Sequence, residues 1–229
     1  MTGQCLRDGR KNRDWTQQTA AAKLGVSQPY LALMERGERR VPPRLARKAA
    51  QLYGLSLSAL PVECDWNHVP HCDDREIAAY LAGIGYPGLA YLRPAKKRNP
   101  VDVLFRALNC ADLESRLTEA LPWVLLEYPN LDWNWLVQAA KVQNLQNRLG
   151  FVTSLGRRLA EESGNESVAN ILRKQELALD KARLVHEDTL CHASLSEVEK
   201  RWVREHRPAE ARHWNLLTDL SPEHLSYAA

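Results

Sequence analysis

Four side chains that could ligate a metal ion lie within nine residues of the chain: Cys64, His68, His71 and Cys72. Zinc takes thiolate and imidazole ligands in a tetrahedron, and one short loop could supply all four. Structural zinc sites usually bring their ligands as two separated pairs, however, and the adjacent His71 and Cys72 would strain to serve one ion. The spacing therefore favours a polar linker over a metal site, and we expect no metal and no other cofactor.

Signatures of catalysis are absent from the sequence. It contains no glycine-rich phosphate loop, no Gly-x-Ser-x-Gly elbow and no His-Glu-x-x-His pair. Cys110 has Leu104, Leu108 and Leu113 around it at helical spacing, which indicates a core position and not a nucleophile. We therefore expect that the protein is not an enzyme.

Polar side chains also lie on residues 15–37. This segment predicts two short helices joined by a tight turn. Thr16 is a good N-cap for the first helix, and Gly25 can take the left-handed conformation that ends it. Ser27 then caps the second helix, which has Pro29 in its first turn. This arrangement lets the second helix project its N-terminal side chains outward. The inward faces are predicted to carry Ala20, Ala21, Leu24, Val26, Leu31 and Met34.

With these features in place, residues 6–60 resemble the helix-turn-helix domain of the Cro/lambda-repressor type, often called XRE. The features that match are Thr16-Gln17, Ala21, Leu24-Gly25-Val26-Ser27, Glu35-Arg36-Gly37 and a later apolar segment from Ala49 to Leu60. The resemblance covers about a quarter of the chain. It implies a five-helix bundle whose third helix reads the major groove of double-stranded DNA.

The resemblance and the side-chain chemistry together name candidate DNA contacts. Gln28 can bond bidentately to adenine, Tyr30 can offer its hydroxyl or ring, and Leu33 could touch a thymine methyl. Gln17 can donate to a phosphate beside a helix N-terminus. The full candidate set is Gln17, Gln18, Ser27, Gln28, Pro29, Tyr30, Leu33, Arg36, Arg39 and Arg40.

Some of these residues have a second interpretation. The three arginines cluster just beyond the second helix and would neutralise phosphate charge, but Arg39 and Arg40 could also form an ordinary solvated turn. Tyr30 could pack on its own helix. Glu35 is expected to be structural, paired with a nearby arginine, and not a DNA contact.

The charge distribution supports the same interpretation. The chain has 229 residues, of which 45% are hydrophobic and 26% charged, near the average for a globular protein. Residues 1–60 carry eleven Lys or Arg against four acids, a net charge of +7, whereas the remaining residues carry 20 basic and 24 acidic groups, a net charge of −4. A basic head on a mildly acidic body is expected where one module meets a polyanion, with a chance surface bias as the alternative.

We predict an all-α fold in three regions: the helix-turn-helix domain over 1–61, a connecting segment over 62–100 and a larger helical domain over 101–229. The connecting segment contains a predicted helix over 73–82 and a basic, proline-bounded stretch at its end. Asn130 is a plausible N-cap for a helix that follows it. Further helices are predicted over 141–163, 166–189, 195–206 and 208–217. No segment shows sustained two-residue alternation, so no substantial sheet is expected.

Aromatic residues are concentrated between 121 and 136, where three tryptophans stand close together. Trp123, Trp133 and Trp135 could line a pocket or a partner surface. The alternative is that they form the hydrophobic core of the C-terminal domain.

These observations lead to one main expectation and two alternatives. The main expectation is a DNA-binding transcriptional regulator, most simply a repressor, that acts as a homodimer. One alternative is an antitoxin-like protein whose helical domain binds a partner protein while its head autoregulates the operon. Another is an enzyme or small-molecule sensor housed in 101–229. The apolar runs fall short of the ~20 residues that span a bilayer, and the N-terminus lacks the apolar core of a secretory signal. A cytoplasmic protein without a membrane contact is therefore expected.

Overall fold

The computed structural model describes residues 1–69, 73–93 and 96–225 and divides the chain into two units, Met1–Glu63 and Cys64–Ala229. The segment 62–100, predicted from the sequence to be a connection, falls almost wholly within the second unit. In that segment the helix predicted over 73–82 is observed as Asp74–Gly83, and its Ile77 and Leu81 are fully buried.

The first unit, which we call the head, consists of short helices. Its elements are α1 (Gly3–Lys11), α2 (Gln17–Leu24), α3 (Gln28–Glu35), α4 (Pro43–Tyr53) and a 3-10 helix (Leu57–Ala59) at the place of the fifth helix. The side-chain oxygens of Thr2, Thr16 and Ser27 accept hydrogen bonds from backbone N–H groups in the first turns of α1, α2 and α3, so each of these helices begins at a capping residue.

One hydrophobic cluster holds the head together. Its buried members are Leu6, Ala20, Ala21, Leu24, Leu31, Met34, Ala49 and Tyr53. Half-buried Trp15 packs on this cluster and meets the Tyr53 ring edge to face, with 5.7 Å between ring centroids. The predicted inward residues of α2 and α3 are therefore confirmed as core, with Val26 at the margin.

The second unit is also helical. Its helices are α5 (Asp74–Gly83), α6 (Pro100–Asn109), α7 (Ser115–Glu119), α8 (Leu121–Glu127), α9 (Trp133–Val142), α10 (Gln146–Glu162), α11 (Glu166–Asp180), α12 (Glu197–His206) and α13 (Ala209–His213), with 3-10 turns at Pro87–Leu89 and Pro222–His224. Strands β1 (Asp188–Thr189) and β2 (Leu216–Leu217) pair in parallel, Asp188 opposite Leu216. The all-α prediction is confirmed, since this two-residue ladder is a minor addition.

Several predicted helix boundaries in this unit are wrong for local reasons. The helix expected over 141–163 is interrupted because Asn144 takes a left-handed conformation, φ +56°, between α9 and α10. The helix expected over 166–189 ends at Asp180 and is followed by a turn, with β1 only at Asp188–Thr189. The helix expected over 208–217 ends at His213, since Asn215 takes a left-handed conformation, φ +51°, just before β2. The N-cap of α9 is Asp132 and not Asn130, since the Asp132 carboxylate accepts from the Trp135 N–H at 3.0 Å.

Helix α10 is the centre of the second unit, and most of its length is buried. The Trp214 ring covers Gly150, where an added Cβ would lie 2.3 Å from the ring. The indole N–H of Trp214 donates to Ser154 Oγ at 2.7 Å. At the start of the helix, Arg148 forms two bonds to the Asp188 carboxylate at 2.7 and 3.0 Å and so ties α10 to β1.

Candidate nucleic-acid interface

The turn between α2 and α3 sets the geometry of the candidate site. Gly25 lies in the left-handed region, φ +77°, and the N–H groups of Gly25 and Val26 both donate to the Ala21 carbonyl, at 2.8 and 3.0 Å. Ser27 then starts α3, its hydroxyl accepting from the Tyr30 N–H at 3.4 Å. The chain therefore turns within three residues, and the first residue of α3, Gln28, is exposed.

A buried ion pair lies behind α3. The Arg10 guanidinium donates from Nε to Glu35 Oε1 at 2.7 Å and from Nη2 to Oε2 at 2.9 Å, and its Nη1 donates to the Trp15 carbonyl at 2.8 Å. Burial alone would raise the pKa of Glu35, but the bonds from Arg10 and Gln17 outweigh it and hold that pKa below the ordinary range. Glu35 is thus an ionised, structural carboxylate, and its predicted arginine partner is Arg10.

Glu35 also fixes the orientation of a neighbouring amide. Gln17 Nε2 donates to Glu35 Oε2 at 2.9 Å. An ionised carboxylate only accepts, so the amide must turn its NH₂ toward Glu35 and its Oε1 away. That oxygen accepts from Gln28 Nε2 at 3.0 Å. The orientation of the Gln28 amide therefore follows from a buried charge two hydrogen bonds away.

This chain of bonds leaves Gln28 with a defined pair of free groups. One Nε2 hydrogen is used on Gln17, so one Nε2 hydrogen and the Oε1 acceptor remain. Adenine presents an N6 donor and an N7 acceptor side by side in the major groove, and Gln is one of the two side chains that match this pair. The free donor and acceptor of Gln28 are thus of the two kinds that adenine pairs with. Gln17 retains one amide hydrogen that can reach a phosphate, in addition to its role in holding Gln28.

The other predicted DNA contacts on or beside α2 and α3 differ in how far their side chains are exposed. Gln18 and Pro29 are exposed, and the Ser27 hydroxyl serves as the N-cap of α3. Tyr30 and Leu33 are half-buried, and Tyr30 packs against the head core. Tyr30 therefore packs in part on the head core, and its contact with DNA stays a prediction.

The basic side chains of the head fall into two groups. Several make internal contacts: Arg13 Nε donates to the Tyr53 carbonyl at 3.1 Å, Lys48 Nζ donates to the Leu24 carbonyl at 2.9 Å, and Arg47 pairs with Glu63. Arg36 forms an exposed ion pair with Glu38 just after α3.

Arg39 and Arg40 belong to the second group, whose members make no such contact with the described residues. Both are exposed, and neither forms an ion pair with the described part of the chain. Exposed ion pairs are weak, so Arg36 can leave Glu38 and pair with a DNA phosphate instead. Arg39 and Arg40 can pair with a phosphate without first leaving another partner.

The tryptophans singled out in the sequence pack within the second unit. Trp133 is 8% exposed and donates its indole N–H to the Pro129 carbonyl at 2.9 Å. Half-buried Trp123 lies against Tyr86 and Tyr128, with centroid distances of 5.2 and 6.2 Å. Trp135 lies against Trp66 and Phe105, at 5.6 and 5.2 Å. These positions favour the core alternative over a partner surface.

The Cys- and His-bearing loop lies only partly within the described residues, because His71 and Cys72 fall outside them. Cys64 is buried, with its backbone N–H bonded to Asp102 Oδ1 at 2.8 Å, and His68 is exposed. Within the described ranges, no group of three or more His, Cys, Asp or Glu side chains is arranged to hold a metal ion. Over the same residues, no helix combines the length and the apolar character needed to cross a membrane.

Sequence reasoning left one residue of this site unnamed, the buried arginine of α1. Arg10 lies four residues after Leu6, so both side chains share the face of α1 that packs into the head. An arginine at such a position implies a buried acidic partner. That signal, combined with the expectation that Glu35 is paired, could have identified the Arg10–Glu35 bond.

Comparisons with known proteins agree with this geometry. Residues 6–60 match the family model described as helix-turn-helix. No curated protein and no solved structure matches the chain. Residues 6–60 are therefore an XRE-type helix-turn-helix domain, and at this level the protein is a DNA-binding transcriptional regulator.

Proposed function

We propose that the protein is a transcriptional repressor that acts through DNA binding and not through catalysis, and that it reads its operator as a homodimer. The observation that carries the proposal is the hydrogen-bonded series Arg10–Glu35–Gln17–Gln28, which ends in an exposed amide of fixed orientation. A base-reading side chain gains from such fixing, because less conformational entropy is lost when it binds.

The position of Gln28 suits entry into the major groove. The groove is about 12 Å wide and admits one helix, and side chains near the N-terminus of that helix reach the base edges. Gln28 is the first residue of α3 and Leu33 lies further along the same helix, where it would meet a thymine methyl group. Arg39 and Arg40, just beyond the other end of α3, would contact phosphates and hold the helix in register.

The homodimer follows from the small number of contacts that one head can make. An eight-residue recognition helix brings only three or four side chains to base edges, too few for strong specificity. Two heads on half-sites about one helical turn apart, roughly 34 Å, would double that number. The second unit is the larger part of the chain, and we assign the dimer contacts to it.

Selective enrichment of random duplex DNA by the full-length protein, at near-physiological salt, tests this function. We expect a palindromic site with an adenine in each half-site. Recovery of a single unrepeated half-site would contradict the homodimer. Weak, salt-sensitive binding without a consensus would contradict sequence reading and would direct attention to a protein partner, as in the antitoxin alternative.

Repression has its own test. The recovered site is placed across a reporter promoter, and the protein is expressed beside it. We expect the reporter signal to fall with the intact site and to stay constant with a scrambled one. A rise in the signal would show an activator and contradict the repressor assignment.

A further inference from the structure

The second unit contains a cavity of about 600 Å³ that the DNA-binding function does not use. Four stretches of chain line it: α7 with Leu113 before it, the loop before α12, α12 itself and the residues from β2 to the last 3-10 turn. The volume falls within the range of roughly 300–1,000 Å³ that is typical of small-molecule sites.

One part of the cavity wall is apolar. Leu113, Leu190, Val203, Leu217 and Leu220 are all buried and all line the cavity. They provide a surface that an aromatic ring or an alkyl chain can cover, which is the usual source of affinity in such sites.

The mouth of the cavity exposes two large apolar side chains of α12. Val198 is 76% exposed and Trp202 is 53% exposed, and the two share one face because they are four residues apart. The His206 ring stacks on the Trp202 indole with 4.4 Å between ring centroids and 16° between planes, which restrains the indole. An aromatic face held in this way can receive a cation.

The charged side chains on the wall are all acidic. Glu119, Glu199 and Asp219 line the cavity with two histidines, and among the described residues that line it there is no lysine and no arginine. This contrasts with the chain as a whole, which has 31 Lys and Arg against 28 Asp and Glu. An anionic ligand would therefore meet like charges on this wall.

Glu199 shows how one of these carboxylates is held. Its Oε2 accepts from the backbone N–H of Ser196 at 2.8 Å and from the Ser196 hydroxyl at 2.6 Å, in the capping box that begins α12. These bonds keep the pKa of Glu199 below its ordinary value, so the group is ionised at neutral pH. Both of these bonds go to one oxygen, and the other, Oε1, can accept from a ligand.

We propose that this cavity binds an organic cation, an ammonium group attached to an aromatic or aliphatic body. The ammonium group would lie beside the Glu199 and Asp219 carboxylates and near the Trp202 ring, and the body would cover the leucine wall. This inference goes beyond the proposed function and does not depend on it, since ligand binding is measured without DNA.

The test is calorimetric titration of the full-length protein with matched ligands at one pH and ionic strength. The probes are 2-phenylethylamine and hexylamine as cations, 2-phenylethanol and hexanol as neutral counterparts, and phenylacetate as the anion. We expect at least one amine to saturate the protein, about tenfold or more tighter than its alcohol, with no saturation by phenylacetate. Failure of both amines to saturate, or equal binding of amine and alcohol, would overturn the proposal.

Conservative variants then locate the binding. Glu199→Gln keeps a residue that can complete the capping box, and Asp219→Asn changes an exposed side chain. Each substitution should weaken amine binding by about threefold or more, and the double variant by about tenfold or more, while any binding of the alcohol stays constant. Glu127→Gln removes an exposed carboxylate outside the cavity and should change nothing. Wild-type amine affinity in the double variant, or an equal loss with Glu127→Gln, would contradict a site in this cavity.

Discussion

Gln28 Nε2 donates to Gln17 Oε1 at 3.0 Å, and this bond joins the first residue of α3 to the first residue of α2. The acceptor is available because the other end of the Gln17 amide is held by a buried carboxylate. Helix α3 therefore carries at its exposed end an amide whose donor and acceptor have set directions.

Replacing the base reader should reduce specificity before it reduces general affinity. Gln28→Ala removes a bidentate contact with adenine, so affinity for the cognate site should fall by ~1–3 kcal/mol while non-specific binding stays the same. Fluorescence anisotropy with cognate and scrambled duplexes measures both. Gln51→Ala, at an exposed glutamine of α4, is the matched control and should alter neither. Equal losses on the two duplexes would show that Gln28 is not a base reader.

Removing Glu35 should destabilise the head. Its side chain is 2% exposed and that of Arg10 is 11% exposed, so Glu35→Ala leaves a buried guanidinium without its counter-charge. Removing one partner of a buried ion pair lowers the free energy of unfolding by about 3–5 kcal/mol. Hydrogen exchange of the core amides of α2 and α3 reports this within the full-length chain. Glu38→Ala breaks the exposed pair with Arg36 and should have little effect, so equal losses in the two variants would contradict a special role for the buried pair.

The same carboxylate predicts a dependence on pH. The folded-state pKa of Glu35 lies below its ordinary value of about 4.5, so its contribution is present above pH 4.5 and is lost as the pH falls through the lowered value. The wild-type head should therefore lose stability in this acid range, and Glu35→Ala should lose less over the same range. Hydrogen exchange of both proteins from pH 7 to pH 3 measures the stability of the head at each pH. If stability falls equally with pH in the two proteins, Glu35 is not the source of the dependence.

Arg39 and Arg40 should contribute affinity without specificity. If each neutralises one phosphate, each Arg→Ala substitution lowers the slope of log K against log salt by about 0.9 and weakens cognate and scrambled duplexes alike. Binding isotherms at four or more salt concentrations give the slope. Arg201→Ala, at an exposed arginine of the second unit, should leave the slope unchanged. An unchanged slope in both head variants would favour the solvated-turn alternative.

Close packing at one glycine of α10 should limit what that position tolerates. A Cβ at Gly150 would lie 2.3 Å from the Trp214 ring, so Gly150→Ala should destabilise the second unit by about 1–3 kcal/mol. At Gly156, on the same helix, the nearest atom would be Leu172 Cδ1 at 3.3 Å, so Gly156→Ala should be close to neutral because alanine favours helix by about 1 kcal/mol. Denaturant unfolding of both variants tests this, and equal effects would contradict it.

Much of the head could be predicted because its signals are local. Thr16 and Ser27 cap helices, and Gly25 ends one, within a few residues of the groups that they satisfy. The inward residues of α2 and α3 follow from helical spacing. Such rules need no knowledge of the distant chain.

What could not be predicted depends on distant partners. The Gln17–Gln28 bond is only useful because Glu35 orients Gln17, and Glu35 is ionised because Arg10, 25 residues earlier, reaches it. In the second unit, periodicity alone did not show that the chain would break at Asn144, or that residues after Asp180 would form β1 by pairing with β2. The first depends on the left-handed conformation of one residue, and the second on a pairing with a distant segment, and helical periodicity contains neither.

The most direct test of the central claim is to enrich random duplex DNA with wild-type protein and with Gln28→Ala in parallel. We expect a palindromic site for the wild type, with one adenine in each half-site, and we expect the preference for that adenine to disappear in the variant while the rest of the consensus remains. An unchanged consensus in the variant, or a wild-type consensus without that adenine, would contradict base reading by Gln28.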